Sequence, residues 1–238
     1  ATTLRAIASD KGRYCYQGEI AKDIVDTVQS AVTNLGRLDL SDWAGYRIVE
    51  RSSAYIDYRA LDVLGMGPPS SGGITVGQIL GMLASYDLAK MGPNSSDAWR
   101  LIGDASRLAF ADRGRYIADS DFVSVPVKGL LNKKYLKNRA TLLIRKKALE
   151  TVSPGNPPFH TAHSFADDES IELPSTSHIS IVDQYGNALS MTTTIENAFG
   201  SRLMTKGGFL WNNEMTDFSV RAITAGVPIA SRVEPRKR

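Results

Sequence analysis

One cysteine, three histidines and no long apolar run mark what this chain of 238 residues goes without. The single thiol, Cys15, excludes an internal disulfide framework and any metal site built on several cysteines, and it reads as a buried, inert side chain. No run of about 18 apolar residues occurs, so no membrane-spanning helix is expected. The opening Ala1-Thr2-Thr3-Leu4-Arg5 does not read as a signal peptide, and a mature secreted chain would lack one too. Excess charge is equally scarce. Lys and Arg number 28 against 25 Asp and Glu, a net +3, part of it in Arg236-Lys237-Arg238. The basic residues are scattered, so no nucleic-acid partner is implied. What is present is ordinary globular usage, 42% hydrophobic and 22% charged, which excludes a disordered or fibrous chain. Against a prior of about 150 residues per domain, the length reads as one large domain or two small ones.

Apolar positions Leu4, Ile7 and Ala8, then Ile20, Ile24, Val25 and Val28, recur at helical spacing around Gly12 and Gly18, predicting two helices about a glycine-flanked turn. Leu40-Ser41-Asp42-Trp43 reads as a capped helix start, and 46–63 as one or two strands. Pro68-Pro69-Ser70-Ser71-Gly72-Gly73 breaks the pattern. It lacks the Gly-Lys-Ser/Thr ending of a phosphate loop and reads as a rigid turn into a helix. Val76, Ile79, Leu80 and Leu83 mark that helix, Trp99, Ile102, Ala105, Leu108 and Ala109 a second behind Ser95-Ser96-Asp97, and 133–148 a third with a basic solvent face.

Residues 151–175, with Pro154, Pro157 and Pro158 followed by a polar acidic stretch, read as a long mobile linker. His160 and His163 within it could suggest a metal pair, but no third ligand is placed and both read as solvent-exposed; no metal or cofactor is expected. The linker delivers the chain into a hairpin. Thr176 to Val182 alternates, Asp183-Gln184-Tyr185-Gly186-Asn187 supplies turn chemistry, and 188–195 returns, an alternation that suits a buried sheet. A hydroxyl residue opening a strand behind a cuttable loop is what a self-processed hydrolase needs. Cleavage before Thr176 would place a free α-amine, a general base, beside its own hydroxyl. On the residues alone, strand propensity is the plainer account of a threonine there. His178, two residues on, shares the Thr176 face and reads as a packing or hydrogen-bonding residue.

Thr176-Ser177-His178-Ile179-Ser180-Ile181-Val182-Asp183, Gly186-Asn187-Ala188, Thr192-Thr193-Thr194-Ile195, Phe199-Gly200-Ser201 and the stretch from Leu210-Trp211-Asn212-Asn213-Glu214 to Met215-Thr216-Asp217-Phe218-Ser219 resemble the start of the small subunit of γ-glutamyltranspeptidases. Upstream, Tyr16-Gln17-Gly18-Glu19-Ile20-Ala21, 40–46, 68–73 and Ala111-Asp112-Arg113 resemble the large subunit in the same order. The resemblance implies an α+β fold, a four-layer αββα sandwich of the N-terminal nucleophile hydrolase type, incomplete here. It divides the chain into 1–150, mainly helical and from the large subunit; 151–175, a linker ending at the processing site; and 176–238, the sheet core that starts the small subunit. It further implies autoprocessing between Ser175 and Thr176, with Thr176 as nucleophile, Thr194 bonded to that nucleophile and orienting it, and Glu214 and Asp217 receiving the substrate's α-ammonium group. The implied partners are a γ-glutamyl amide such as glutathione, water or an amino acceptor, and the remainder of the precursor. The implied compartment is the periplasm or the cell exterior.

Glu196 departs from the pattern, standing where well-studied members carry an asparagine that contacts the substrate's amino-acid head. A carboxylate there repels an α-carboxylate, or else strengthens the hold on an ammonium group. This admits two alternatives: a related acylase of the glutaryl or cephalosporin type, and a non-catalytic scaffold. The resemblance also places an arginine before residue 1, and oxyanion glycines and a serine pair beyond Arg238. The chain is therefore expected to be an internal piece of a longer precursor, inactive alone.

Overall fold

The computed structural model describes residues 2–144, 146–159, 165–170 and 175–238. In chain order come helices α1 (Thr2–Ser9), α2 (Arg13–Gln17), α3 (Glu19–Gln29) and α4 (Leu40–Gly45), then strands β1 (Ala54–Tyr58) and β2 (Leu61–Gly65). Helices α5 (Gly72–Leu83), α6 (Leu88–Met91), α7 (Ser96–Tyr116), α8 (Val127–Leu130) and α9 (Lys133–Ala140) follow. Strands β3 (Thr176–Val182), β4 (Ala188–Thr194), β5 (Ile223–Thr224) and β6 (Val227–Pro228) close the order. Successive strands pair as three antiparallel two-stranded sheets, so the class is α+β. Two compact units emerge, one from residues 1–49 and 171–217 and the other from 50–170 and 218–238.

In the first unit, α3 buries Ala21, Ile24, Val25 and Val28, the i, i+3, i+4, i+7 stripe of an amphipathic helix. The expected pair of helices is in fact three. Both glycines punctuate, Gly12 in a left-handed conformation, and residues 13–17 between them make a helical turn of their own. Asp39 caps α4, its carboxylate accepting from the Ser41 and Asp42 amides at 2.7 and 3.0 Å while Asp42 reaches back to the Asp39 amide, a capping box. Strands β3 and β4 pair from Thr176 opposite Thr194 to Val182 opposite Ala188. The turn is set by Asp183 Oδ1, which accepts from the Tyr185 and Asn187 amides, with Gly186 at φ 83°. Contrary to the buried sheet expected, every residue of both strands is exposed, since no described element covers either face.

In the second unit, Ser95 caps the 21-residue α7, whose Leu101, Ala105, Leu108 and Ala109 pack with Met82 and Leu83 of α5 and with Tyr135, Leu136 and Leu143. The third helix is shorter than expected. It stops at Ala140, where the chain tightens into a 3-10 turn over Thr141–Ile144 that drives Leu143 into the core. Asp112 on α7 is buried and accepts from the Tyr135 hydroxyl (2.6 Å), Gln78 Nε2 (2.8 Å), the Gly155 amide (2.7 Å) and Arg139 (3.2 Å). Arg139 also donates to the Ser153 carbonyl and Tyr116 to the Gly155 carbonyl. The first part of the linker is thus fastened to the helices rather than loose. His160 and His163 lie outside the described residues.

Candidate functional site

Antiparallel alternation places Thr176, His178 and Ser180 of β3 on one face with Thr194, Thr192 and Ser190 of β4, and puts Ile179, Ile181, Leu189 and Met191 on the other. The polar face is a ladder of hydroxyls. His178 bridges two of them, its Nδ1 2.9 Å from Thr192 Oγ1 and its Nε2 3.1 Å from Ser190 Oγ, the hydrogen-bonding arrangement anticipated for it. At the open end of the ladder, Ser175, Thr176, Ser177, Thr193, Thr194, Ile195, Asn197 and Ala198 line a cleft of about 440 Å³. The Ser175–Thr176 peptide bond forms part of its wall.

The Thr194 hydroxyl donates to the Ser175 carbonyl at 3.0 Å and accepts from the Glu196 amide at 2.8 Å. A hydroxyl has one proton, and in the uncut chain the Thr194 proton goes to the Ser175 carbonyl. Glu196 reaches its position through a left-handed backbone, φ 67°, which costs a non-glycine residue roughly 1–2 kcal/mol. Its side chain is buried, and Oε2 accepts from Asn213 Nδ2.

Asn213 holds this end of the site together. Its amide donates to the Ile195 carbonyl, its Oδ1 accepts from the Asn197 amide (3.1 Å), and its Nδ2 also reaches Thr216 Oγ1. The loop 197–211 between these points is stitched by Ser201 and Trp211, each donating an amide across it. Gly200 sits there at φ 52°, where a Cβ would meet the Trp211 carbonyl oxygen at 2.1 Å. Trp211 packs edge-on against Trp43 of α4, ring centroids 5.1 Å apart. The chain is therefore delivered firmly to the 3-10 turn Glu214–Asp217.

Glu214 is half-buried, and its Oε1 is sealed from solvent and receives no hydrogen bond. Burial first, then the hydrogen bond and negative charge of Asp217, then the charge of Glu196, push its carboxyl up to about 7. Asp217 is exposed. Glu196, held by Asn213, and Asp217 both bear on Glu214 as negative charges, a setting unfavourable to an anion and favourable to a cationic group. Asn213 and the Trp43–Trp211 contact went unassigned in the sequence. The doubled asparagine before the acidic pair was the available signal. Cys15 is half-buried, its thiol raised chiefly by burial and secondarily by Asp10, as an inert cysteine should be. Among the described residues no cluster of three or more His, Cys, Asp or Glu is arranged to hold a metal.

The family model described as gamma-glutamyltranspeptidase matches residues 1–238. The chain belongs to the γ-glutamyltranspeptidase family. It is 37% identical over its whole length to a "Glutathione hydrolase proenzyme" of Escherichia coli (strain K12), of which it spans 40%. A Helicobacter pylori γ-glutamyltranspeptidase superposes on 67% of the chain, and 45% of its own, at TM-score 0.60 and 33% identity. A cephalosporin acylase from Bacillus halodurans superposes on all of the chain and 39% of its own, at TM-score 0.78 and 25% identity. The chain is thus similar both to a glutathione hydrolase proenzyme and to an acylase, and it spans under half the length of these relatives.

Proposed function

We propose that the chain carries the processing site and half the substrate site of a γ-glutamyl hydrolase or transferase. The precursor is cut between Ser175 and Thr176, and the freed Thr176 hydroxyl attacks a γ-glutamyl amide such as glutathione. The resulting acyl-enzyme passes the γ-glutamyl group to water or to an amino acceptor. The Ser175–Thr176 bond in the wall of the hydroxyl-lined cleft, with Thr194 bonded to its carbonyl, is the observation that carries the reading. In the cut enzyme the Thr176 amine is the general base and Thr194 orients the Thr176 hydroxyl. Glu214 and Asp217, with Glu196 behind them, hold the substrate's α-ammonium group. The "proenzyme" in the name of the E. coli relative favours processing in this chain too. The two-stranded ribbon β3–β4 would lie within a four-layer αββα sandwich completed by the rest of the precursor, in the periplasm or outside the cell.

In full-length precursor, Thr176→Ala is expected to abolish both processing and hydrolysis of a γ-glutamyl anilide. A Thr176→Ala protein that is still cut and still active refutes the reading. The buried Glu196, together with the acylase superposition, supports a second reading in which the acyl group bears no α-amino acid head. A clear preference of the full-length enzyme for glutaryl over γ-glutamyl anilides would favour it.

A further inference from the structure

We propose that residues 165–170, in the stretch that precedes the cut, stay docked on the downstream chain after processing and so strap the two chains of the mature enzyme together. The inference rests on the processing reading given above. Cutting before Thr176 leaves 165–170 near the end of the upstream chain and puts Ser219 and 228–231 in the downstream one. Contacts made within one polypeptide before the cut thereby become an interface between two.

Backbone, apolar, ionic and carboxylate contacts all fall on these six residues. The carbonyl and amide of the trans peptide between Pro228 and Ile229 point opposite ways, and both are used. The Ile229 amide donates to the Ala222 carbonyl at 2.9 Å, and the Pro228 carbonyl accepts from the Ala166 amide at 3.0 Å, with Ala166 bridging Ile229 in parallel. A segment added to an edge in this way is held by main-chain bonds, and its side chains fix its place. Here Phe165 packs on the buried Ala118, Val123 and Ala230, and Arg115 Nε donates to Asp167 at 2.6 Å. Asp168 is the clasp. Its half-buried carboxylate accepts from the Ser231 hydroxyl and from the Ser170 amide at 3.0 Å, while its own amide donates to the Gly114 carbonyl of α7 at 3.0 Å. Burial pushes this carboxyl up, but hydrogen bonds with Ser170, Ser231 and the buried Ser219 outweigh it and hold the group below its usual range. Ser219 and Ser231 are themselves joined, amide to carbonyl at 3.1 Å, so one carboxylate grips both members of a bonded pair. The bonds of Ala166 to Pro228 and of Asp168 to Ser219 and Ser231 cross the future chain boundary, whereas Arg115 and Gly114 hold the segment to its own chain. The peptide bond lost in processing lies five residues beyond Ser170, and none of these contacts depends on it.

The test is amide hydrogen exchange of full-length protein, read by mass spectrometry on peptides covering 165–170 and 226–232, in wild type, Thr176→Ala, Asp168→Ala, Ser231→Ala and Ser231→Thr. Both peptides are expected to be as protected in the two-chain wild type as in the uncut Thr176→Ala. Hydrogen bonds to a charged acceptor are worth enough that losing them raises local opening about 10–100-fold. Asp168→Ala should speed exchange of both peptides by that factor and leave the core of α7, 98–109, unchanged. Ser231→Ala should act in the same direction more weakly, and Ser231→Thr, which keeps the hydroxyl, should stay near wild type. A two-chain wild type in which 165–170 exchanges like free chain overturns the proposal. So does an Asp168→Ala protein whose two peptides exchange at the wild-type rate; should that variant fail to fold, Ser231→Ala against Ser231→Thr decides in the same way. A wild-type protein that stays in one piece removes the processing reading itself, and with it the two chains that the strap joins.

Discussion

A carboxyl pushed up to about 7 is an unusual group to meet an ammonium ion, because half of it is neutral at neutral pH. Under the proposal that Glu214 receives the substrate's ammonium group, binding favours the charged form, so the substrate must expel the Glu214 proton, at increasing cost as pH falls through 7. The sign is fixed by the direction of the shift: KM for a γ-glutamyl donor should rise as pH falls from 8 to 6, with kcat less affected. Kinetics of Glu214→Gln across that range should show a high, nearly flat KM. A KM in the wild-type enzyme that does not change over the same range would remove Glu214 from the ammonium site. Asn213 is the other residue whose role is separable. Asn213→Ala strips a buried Glu196 oxygen of its donor, a loss typical of about 1.5–3 kcal/mol for charged partners. KM should increase at least tenfold while cleavage before Thr176, which depends on β3 and β4, proceeds.

At the scale of elements, the loop 197–211 is what returns the acidic turn to the end of β4, and Gly200 is its tightest point. Gly200→Ala meets both a left-handed backbone and the Trp211 carbonyl, and should lower stability by at least roughly 1–2 kcal/mol, read as a fall in melting temperature. Asp112 anchors the other unit. Asp112→Ala strands Arg139, whose Nε is already buried without a partner, and the expected cost is about 3–5 kcal/mol in a denaturant titration. Much of this scale was legible in sequence, for physical reasons. The stripe of α3, the Ser95 cap and the Asp183 turn are local, and their residues are neighbours in the chain; on α5 and α7, by contrast, Val76 and Trp99 of the expected apolar sets stand 48% and 64% exposed, because Ile74 and Met82 and Ala98 and Leu101 face the core instead. The stitching of loop 197–211 and the four bonds to Asp112 were not, because their partners lie up to 43 residues apart and nothing in local patterning pairs them. Likewise the site residues were picked out by resemblance and spacing, whereas the aim of the Thr194 proton depends on a cross-strand contact over 19 residues.

At the scale of the molecule, the apolar face of the β3–β4 ribbon is the most telling surface. Ile181 is 52% exposed and Leu189 47%, side by side in register. Under the sandwich proposed above, further strands of the precursor cover this face. Ile181→Ser in full-length enzyme should then cost about 1–3 kcal/mol, the value of a buried aliphatic side chain, and essentially nothing if the face remains in water. Burial of the ribbon and function of its hydroxyl face go together, since removing water strengthens every hydrogen bond along the ladder. The central claim is that the chain is cut before Thr176 and works through the terminus so made. Intact-mass spectrometry with N-terminal sequencing of the purified full-length protein tests it most directly: two chains, the smaller beginning Thr176-Ser177-His178, are predicted. A single uncut polypeptide, or a cut elsewhere, would contradict the account and leave Thr176 a strand residue.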